Sequence, residues 1–280
     1  LIYGPTASGK SNFAIKLAKR IEGEIINADS MQIYRELKIL SARPLRKESQ
    51  KIKHHLYGFI SAKKNFSSGD WLKLVKKKIF EVRKRKKIPI LVGGTGLYFK
   101  ALTQGLVNIP NIPIKFRNQI RSLNKNLGSK KFYTKLLKLD PLVKNRINFH
   151  DTHRAIRAYE VKLYTKKSIY EWFKMTKSDF EENDFYKIHI DYPRDRLIKR
   201  INERAIGMFK KGVTQEVKKF IKLKVSDGKP ANKAIGISEI SDYLNEKLQK
   251  AQVIEKISIK TRQYAKRQAT WARGNMFDWK

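Results

Sequence analysis

The feature that most constrains the fold of this chain is a glycine-rich segment that follows the short apolar run of residues 1–3. The segment consists of Gly4, Pro5, Thr6, Ala7, Ser8, Gly9, Lys10 and Ser11. After it, Phe13, Leu17 and Ile21 recur every four residues and predict one buried helix face. A strand, a glycine-rich turn and a helix in this order are typical of a phosphate-binding loop, with an ordinary glycine turn before a helix as the alternative.

Each part of this loop has a physical role in binding phosphate. Backbone N–H groups and the positive end of the helix attract phosphate oxygens, Lys10 adds a positive charge, and Ser11 can ligate a magnesium ion. Nucleoside triphosphates, nucleoside diphosphates and organic diphosphates all present the same oxygens. The loop alone therefore does not identify the substrate.

Two further apolar runs predict strands that share a sheet with the first. Residues 24–28 lead to Asp29, and residues 88–92 lead to Gly93. Between them a stripe with helical spacing predicts a buried helix face, made of Trp71, Leu72, Val75, Ile79 and Val82. Strands that alternate with helices predict an α/β fold with a parallel sheet core like that of the P-loop NTPases.

The chain changes character after this core. Residues 108–183 are polar and lysine-rich, and prolines interrupt their helical pattern. Strand character then returns briefly and is followed by helices. We therefore predict a catalytic core from residues 1–107 and 184–280, with a helical C-terminal part, and a helical insertion domain at residues 108–183.

The charge of the chain indicates a polyanionic partner. Lys and Arg total 63 against 25 Asp and Glu, which gives a formal net charge of +38. A lysine-biased composition on solvated faces is the alternative, but such a bias would normally raise Glu as well. Nucleic acid is therefore the favoured partner.

Three absences narrow the class of protein. The sequence has no cysteine, which excludes a disulfide framework and a zinc site with cysteine ligands, and fits a reducing compartment such as the cytoplasm. It has no run of about 18 apolar residues, so no membrane partner is expected. His54 and His55 have no acidic companion or second ligand cluster, and we interpret them as a structural pair.

Asp29 and Thr95 are candidate site residues because each follows a predicted strand. The carboxyl ends of parallel strands meet at one edge of a sheet, where open sheets build their sites. Asp29 is then a candidate general base, with a helix N-cap as an equally weighted alternative. Thr95 follows Gly93 and Gly94, either as a turn residue or as a hydroxyl that faces the same cleft. A kinase would usually carry an Asp at this strand end, so standard phosphoryl transfer is disfavoured.

Two later segments combine cations with other polar groups. His153, Arg154 and Arg157 share a predicted helix within the insertion, and a solvated helix face is the commoner explanation for such a pattern. Residues 261–273 mix cations with Gln, Tyr and Trp on another predicted helix. That mixture suits phosphate contact and base stacking or, alternatively, burial of the aromatic residues.

Taken together, six segments resemble the tRNA dimethylallyltransferases, also known as tRNA isopentenyl transferases, in their order and approximate spacing. The segments are GPTASGKS at residues 4–11, DSMQIYR at 29–35, GGTGLY at 93–98, DTHRAIRAYEV at 151–161, AIGISE at 234–239 and TRQYAKRQATWAR at 261–273. Many proteins share the phosphate loop, but its combination with the other segments is specific. The match covers nearly the whole chain, and the chain resembles the bacterial type of the family.

The resemblance implies a reaction and its participants. The family transfers a dimethylallyl group from dimethylallyl diphosphate to the N6 amine of the adenosine 3′ of the anticodon, with Mg²⁺ as cofactor and diphosphate as product. The tRNA anticodon stem-loop would be the macromolecular partner, and the protein would be a monomer. Two rivals stay open: an ATP-dependent nucleoside or small-molecule kinase, and an RNA-binding module without catalytic activity.

The same resemblance implies roles for residues of this chain. Asp29 would be the catalytic base, Thr95 would line the reaction channel, and Lys10 would stabilise the diphosphate bound by residues 4–11. Ser11 would ligate the metal. Contacts with tRNA would come from Asp29, Ser30, Met31, Gln32, Thr95, Arg117, His153, Arg154, Ala155, Ile156 and Arg157.

Overall fold

A computed structural model describes residues 1–44 and 52–280 of the chain. It contains a five-stranded parallel sheet with the strand order β3-β2-β4-β1-β5. The strands are β1 (Ile2–Tyr3), β2 (Gly23–Asn27), β3 (His54–His55), β4 (Ile88–Gly93) and β5 (Ile188–His189). The predicted α/β class and parallel sheet are confirmed.

Most of the chain outside the sheet is helical. The helices are α1 (Lys10–Arg20), α2 (Ser68–Lys84), α3 (Gly96–Gln104), α4 (Ile114–Leu139), α5 (Thr152–Thr165), α6 (Ile169–Lys174), α7 (Arg194–Lys210), α8 (Val213–Lys222), α9 (Ile237–Leu244) and α10 (Lys250–Asn275). Within residues 1–44 and 52–280, none of the helices combines the length and the apolar character that a membrane span requires.

The register of the sheet brings three strand ends together at one edge. β1 and β2 both pair with β4, so that Tyr3 lies opposite Gly93 and Asn27 lies opposite Val92. The pairing continues one residue beyond β2, because Ala28 N donates to Val92 O at 2.8 Å. The segments that follow β1, β2 and β4 therefore start side by side at the carboxyl edge of the sheet.

Helix α1 corrects one prediction made from the sequence. Its buried residues are Ala14 and Ala18, whereas Phe13 is 40% exposed and Leu17 and Ile21 are only partly buried. Successive residues turn by about 100° around a helix, so Phe13 lies outside the face centred on Ala14. Alanines on that face let the helix approach the strands closely, which the four-residue apolar spacing does not reveal.

Helix α2 confirms the predicted apolar stripe and connects it to the edge of the sheet. All five residues of the stripe are buried. Trp71 Nε1 donates to Asn27 O at 3.0 Å, and the Trp71 ring stacks on Tyr98 with ring centroids 4.2 Å apart. The end of β2, two residues before Asp29, is therefore fixed by a buried side chain.

The chain divides into two units, each with its own core. Unit 1 comprises Leu1–Ala101 and Glu181–Lys280 and contains the sheet. Unit 2 comprises Leu102–Phe180, and in it α4 and α5 pack around buried residues that include Phe132 and Ala158. Unit 2 therefore buries enough apolar surface to form a helical body of its own.

The histidine pair of β3 has an acidic neighbour that the local sequence does not reveal. His55 Nε2 lies 2.6 Å from Glu24 Oε2, and Arg85 Nη2 donates to the same oxygen at 2.6 Å. The Arg85 guanidinium, with a smaller contribution from His55, lowers the pKa of Glu24 to about 2. These contacts tie β2, β3 and the end of α2 together, which agrees with a structural pair but corrects the expectation that no acid accompanies it.

Candidate active site

The phosphate loop leads from β1 directly into α1. Gly9 is the N-cap residue of α1 and has a φ of 88°, a left-handed conformation that glycine adopts at little cost. Lys10 Nζ donates to Pro5 O at 3.2 Å, so the lysine side chain folds back over the loop. The ammonium group and the positive end of α1 therefore lie together, as a phosphate site requires.

A close approach of two backbones brings Thr95 next to the segment that follows β2. A Cβ atom at Gly93 would lie 1.9 Å from Ala28 O, so this position needs glycine. Thr95 N donates to the same oxygen at 3.3 Å. Ser30 N donates to Thr95 Oγ1 at 2.9 Å, and the Thr95 hydroxyl donates to Ser30 Oγ at 3.2 Å. Thr95 is therefore both a turn residue and a side-chain link to the Asp29 segment.

Asp29 caps a turn and also lines the candidate site. Its Oδ1 accepts from Met31 N at 2.8 Å and from Gln32 N at 3.3 Å, the pattern of an Asp that closes a local turn. Asn27 Oδ1 accepts from Asp29 N at 2.9 Å. The hydrogen bonds therefore fix a carboxylate at the wall of the site, where a general base would have to lie.

The phosphate loop and the segment after β2 line one cavity of about 220 Å³, whereas Thr95 and Ser30 are not among the described residues that line it. The lining residues are Thr6, Ala7, Gly9, Lys10, Ser11, Asn12, Asp29, Gln32, Ser41, Ala42, Arg200 and Arg204. Gln32 is held in the wall because its Nε2 donates to Ser41 O at 2.9 Å and to Ala42 O at 3.2 Å. Met31 instead packs against an apolar core cluster. Of the predicted residues 29–32, Asp29 and Gln32 therefore line the cavity and Met31 contributes to the core.

A larger cavity of about 620 Å³ lies against Pro5 and is lined by residues of α7 and α10. Its wall includes apolar side chains such as Leu197 and Ile201. Size alone would favour this cavity, but Lys10 and Asp29 line the smaller one. We place the candidate active site in the smaller cavity, because cationic, hydroxyl and carboxylate groups converge there.

Two arginines of α7 belong to the site, although no sequence motif pointed to them. Arg204 Nη1 donates to Thr6 Oγ1 at 2.9 Å, and Arg204 Nη2 donates to Leu40 O at 3.0 Å. Arg200 reaches the loop at Gly9, where a Cβ atom would lie 3.1 Å from Arg200 Nη1. Two features of the sequence could have indicated Arg200 and Arg204. Residues four apart share one helix face, and α7 begins close to the carboxyl end of β5, where open sheets build their sites.

The electrostatics of the site favour an anion. Burial, assisted by Arg204 and opposed by Asp29, lowers the pKa of Lys10 to about 8. Burial also lowers the pKa of Arg204, and Asp29 opposes this shift too. Ser8 Oγ and Arg204 Nε are buried without a hydrogen-bond partner among the described residues. A phosphate group in the cavity would supply negative charge and an acceptor next to Lys10 and Arg204, which both line it.

A buried glutamine of α10 joins the two loops that carry the site. Gln268 Oε1 accepts from Thr6 N at 2.8 Å, and Gln268 Nε2 donates to Gly94 O at 2.7 Å. The Gln268 carbonyl also accepts from Tyr3 OH at 2.9 Å. The pattern of residues 261–273 does not single out this residue. What could have indicated Gln268 in the sequence is that a polar residue stands within the buried stripe of α10.

The aromatic residue Trp271 in the same segment is partly buried and packs within unit 1. A Cβ atom at Gly96 would lie 2.3 Å from the Trp271 ring, and the ring centroids of Tyr3 and Trp271 are 5.9 Å apart. Arg267 and Arg273 on the same helix are exposed. Packing against Gly96 and Tyr3 therefore accounts for Trp271, while the exposed cations stay candidates for phosphate contact.

The residues of the cavity fit a magnesium ion that is held mainly by substrate phosphates. Mg²⁺ in phosphate sites keeps several waters and takes one or two oxygen ligands from the protein. Ser11 offers a hydroxyl oxygen and Asp29 a carboxylate at the cavity wall. This oxygen donor set fits the cofactor that the resemblance implies.

In unit 2, Arg117 and Arg157 gather on one buried carboxylate. Arg117 Nε and Arg157 Nη1 each lie 3.5 Å from Glu160 Oε2. The Glu160 side chain is 2% exposed, whereas the two arginine side chains are 38% and 40% exposed. Burial lowers the pKa of Arg157, with Glu160 opposing the shift and Arg117 adding to it. The two guanidinium groups therefore form a cationic pair that the solvent reaches.

The other tRNA contacts that were predicted within unit 2 lie on α5. His153 and Arg154 are exposed, and Arg154 makes an ion pair of 3.3 Å with Asp151. Ala155 is buried in the core of unit 2, and Ile156 packs partly against that core. Every third or fourth residue of such a helix faces inward, so the Ala155 side chain serves the core and its exposed neighbours His153 and Arg154 face the solvent.

An anion subsite beside a fixed carboxylate, at the carboxyl edge of a parallel sheet, defines a phosphate-loop α/β protein with the groups for chemistry on a diphosphate. Comparison with known families narrows this class. The family model for IPP transferase matches residues 32–275, most of the chain. The chain belongs to the IPP transferase family.

Individual relatives agree with this assignment. The chain is 59% identical to a tRNA dimethylallyltransferase from Pelagibacter ubique over 279 residues, 100% of this chain and 89% of the relative. The crystal structure of a full-length tRNA isopentenylpyrophosphate transferase from Bacillus halodurans matches with a TM-score of 0.69 at 33% identity, covering 98% of this chain and 86% of that one. A eukaryotic dimethylallyltransferase acting on tRNA matches with a TM-score of 0.83 at 28% identity, covering 97% and 68%. The resemblance is confirmed, and these relatives give no support to a kinase.

Proposed function

We propose that this chain transfers a dimethylallyl group from dimethylallyl diphosphate to the N6 amine of the adenosine 3′ of the anticodon in tRNA. Membership of the IPP transferase family supports the proposal, as does the name tRNA dimethylallyltransferase of its relatives. The structural observation that carries it is that Asp29 lines the same cavity as Lys10 and Ser11. A base and a subsite for a diphosphate leaving group thus share one cavity, as transfer from a diphosphate to an amine requires.

Asp29 is the proposed proton acceptor. The N6 amine is a poor nucleophile because its lone pair is delocalised into the adenine ring. In the proposed reaction N6 attacks the allylic C1 of the donor, the C1–O bond breaks, and diphosphate leaves with the bonding electrons. Asp29 takes the proton that N6 loses. Holding the amine and C1 in contact contributes further, since the reactants are oriented before they react.

The phosphate loop is proposed to stabilise a leaving group and not to present a phosphoryl group for transfer. Lys10, Arg200 and Arg204 surround the cavity with positive charge, and the N-terminus of α1 adds its backbone N–H groups. These interactions strengthen as negative charge develops on the departing diphosphate. They therefore favour the transition state over the bound donor.

Mg²⁺ is the proposed cofactor, with Ser11 and diphosphate oxygens as its ligands. When bound, it would neutralise part of the charge on the leaving diphosphate. The hydroxyl at the last position of the loop motif is the group that usually ligates this ion. Lys10, Arg200 and Arg204, which line the same cavity, would also bind diphosphate oxygens.

Unit 2 and the residues after β2 are proposed to contact the tRNA anticodon stem-loop. The exposed Arg154 and the partly exposed Arg117 and Arg157 of unit 2 suit the phosphates of the RNA backbone. The target adenosine must leave its base stack, at a cost of about a few kcal/mol that phosphate contacts offset. Ser30 and Thr95 are proposed to line the path of the flipped base. We take the protein to be a cytoplasmic monomer, as the family resemblance implies.

The test is incubation with radiolabelled dimethylallyl diphosphate, Mg²⁺ and unmodified tRNA that carries adenosine 3′ of the anticodon, followed by nuclease digestion and nucleoside chromatography. We expect the label on that adenosine. Steady consumption of ATP without tRNA would favour the kinase instead. Tight tRNA binding without transfer of label would favour an RNA-binding module that has no activity.

A further inference from the structure

A carboxylate outside the cavity gathers three consecutive backbone N–H groups. Glu216 of α8 accepts from Lys38 N and from Leu40 N, each at 2.9 Å, and its two oxygens lie 2.7 and 3.0 Å from Ile39 N. Consecutive N–H groups that converge in this way form an anion-binding nest. Here the nest is occupied by a side chain of the same chain. Glu216 therefore fixes the segment of residues 38–42, which we call the 38–42 loop.

The 38–42 loop meets the candidate active site on its other side. Leu40 O accepts from Arg204 Nη2 at 3.0 Å. Two other carbonyl groups of the loop accept from Gln32 Nε2, at 2.9 and 3.2 Å, and the same two residues line the cavity. The loop therefore lies between Glu216 and Arg204, and its position affects where the Arg204 guanidinium lies.

Arg204 is oriented by a small number of contacts. Besides the bond to Leu40 O, its Nη1 donates to Thr6 Oγ1 at 2.9 Å, while its Nε is buried without a partner among the described residues. Arginine has many rotamers, and each hydrogen bond that is lost returns some of that freedom. Displacement of the 38–42 loop would therefore loosen a cation of the anion subsite.

Glu216 itself is held by the core of unit 1. Helix α8 buries Val213 and Val217 in the same apolar cluster as Leu40. The helix and the loop thus already pack side by side, and the carboxylate adds directed hydrogen bonds to that contact. A rigid support of this kind is what a preorganised site needs, because small displacements of charged groups reduce binding.

We infer that Glu216 is a positioning residue for the diphosphate subsite, acting through the 38–42 loop on Arg204. The inference rests on the proposed function for the identity of the anion. A positioning role predicts that anion affinity falls on Glu216→Gln, whereas charge alone predicts that it rises. Glu216→Gln makes the protein more positive, and Coulomb attraction alone would then strengthen anion binding. Loss of positioning weakens binding, because a glutamine amide presents one acceptor oxygen to three donors.

The test is calorimetric titration of the full chain with inorganic pyrophosphate and Mg²⁺. For Glu216→Gln we expect pyrophosphate affinity about tenfold lower, the order lost when a charge-assisted contact is loosened. Glu203→Gln on the exposed side of α7 is the matched control with the same change of charge, and its affinity should stay within about twofold of the wild type. In turnover, Glu216→Gln should raise KM for dimethylallyl diphosphate and leave KM for tRNA unchanged.

A double-mutant cycle with Arg204→Gln separates positioning from a general loss of structure. If Glu216 acts through Arg204, the double variant binds pyrophosphate about as weakly as Arg204→Gln alone. Additive losses would overturn the inference, as would pyrophosphate binding by Glu216→Gln that equals or exceeds that of the wild type. If the glutamine variant does not fold, Glu216→Asp keeps the charge on a shorter side chain, and unchanged affinity there would equally contradict the inference.

Pyrophosphate binding and transfer of label together distinguish a wrong role for Glu216 from a wrong proposed function. A wild-type protein that binds no pyrophosphate and transfers no label lacks the proposed function. A wild-type protein that does both, together with a Glu216→Gln variant that matches it in pyrophosphate affinity, keeps the proposed function and rejects the role of Glu216.

Discussion

The candidate site in unit 1 and the cationic surface of unit 2 are built in different ways. In unit 1, residues far apart in the chain interlock by short hydrogen bonds. Thr6 and Gln268, for example, are 262 positions apart and bonded at 2.8 Å. In unit 2, Arg154 and Arg157 lie one turn apart on a single helix, and their ion pairs measure 3.3 and 3.5 Å. One region is fixed by its surroundings, and the other presents side chains to solvent.

This difference matches the two tasks of the proposed reaction. A base and a leaving-group subsite depend on geometry, because an error of about 1 Å costs much of the rate. A phosphate backbone is bound largely by charge, which is tolerant of position and sensitive to salt. Substitutions in unit 1 should therefore change turnover and donor binding steeply, whereas substitutions in unit 2 should change tRNA affinity gradually.

The largest effect is expected at Asp29. Asp29→Asn keeps an oxygen that can accept from Met31 N and Gln32 N but removes the group that takes the proton. We expect kcat to fall by about 10²- to 10⁴-fold, the usual contribution of a general base, with the affinities for donor and tRNA largely kept. Single-turnover transfer of label and separate binding titrations measure the two parts. An Asn variant with wild-type kcat would leave Asp29 as a turn cap alone.

The next effect concerns the charge of Lys10. Its pKa of about 8 in the free protein means that it loses its proton as the pH rises through 8. Binding of a diphosphate favours the charged form, so donor affinity should be constant below that pH and fall above it. Lys10→Arg should remove this pH dependence, because arginine stays protonated. Titrations of dimethylallyl diphosphate into both proteins from pH 6.5 to about 9.5 measure it.

Lys10→Ala should lower donor affinity by about 1.5–3 kcal/mol, the value of a charge-assisted hydrogen bond. The Lys10→Arg protein is the control for titration of the ligand itself. Identical pH profiles in the wild type and the arginine variant would show that another group controls the dependence.

A smaller effect is expected when charge is removed from unit 2. Arg154→Gln with Arg157→Gln should weaken tRNA binding by about tenfold at low salt and reduce the slope of log Kd against log salt by about one to two. Turnover at saturating tRNA should be unchanged. Lys125→Gln with Lys131→Gln removes the same charge from exposed positions of unit 2 and is the matched control. Equal losses of tRNA affinity in both double variants would show that Arg154 and Arg157 contribute only as general surface charge.

The smallest effect is expected at Glu160. A variant of this residue tests most directly whether the site in unit 1 and the cationic surface of unit 2 are built differently. Its contacts with Arg117 and Arg157 are 3.5 Å long, and both arginine side chains are partly exposed, so the carboxylate does not fix either guanidinium group tightly. Glu160→Gln should change tRNA affinity by less than about threefold, against the loss of about tenfold expected for pyrophosphate affinity in Glu216→Gln. A tenfold or greater loss of tRNA affinity in filter binding would mean that unit 2 is interlocked in the same way as unit 1.

Part of the site was predictable because it follows from local pattern and parallel topology. A phosphate loop lies between a strand and a helix, and the ends of β1, β2 and β4 meet at one edge, so residues 4–11, Asp29 and Thr95 had to lie near one another. The helical stripe of α2 followed from its periodicity. The interpretation of Phe13 as buried was wrong, because the apolar spacing does not show which side of α1 contacts the strands.

The sequence by itself determined the α/β class, the place of the phosphate loop and the family, since these depend on order and spacing along the chain. Tertiary structure alone decided that Arg204, Gln268 and Glu216 converge on the loops of the site. Their signals in the sequence are single polar residues on amphipathic helices, which look like many others. Hydrogen bonds between residues 164 to 262 positions apart depend on how the helices pack on the sheet, and no local pattern encodes that packing.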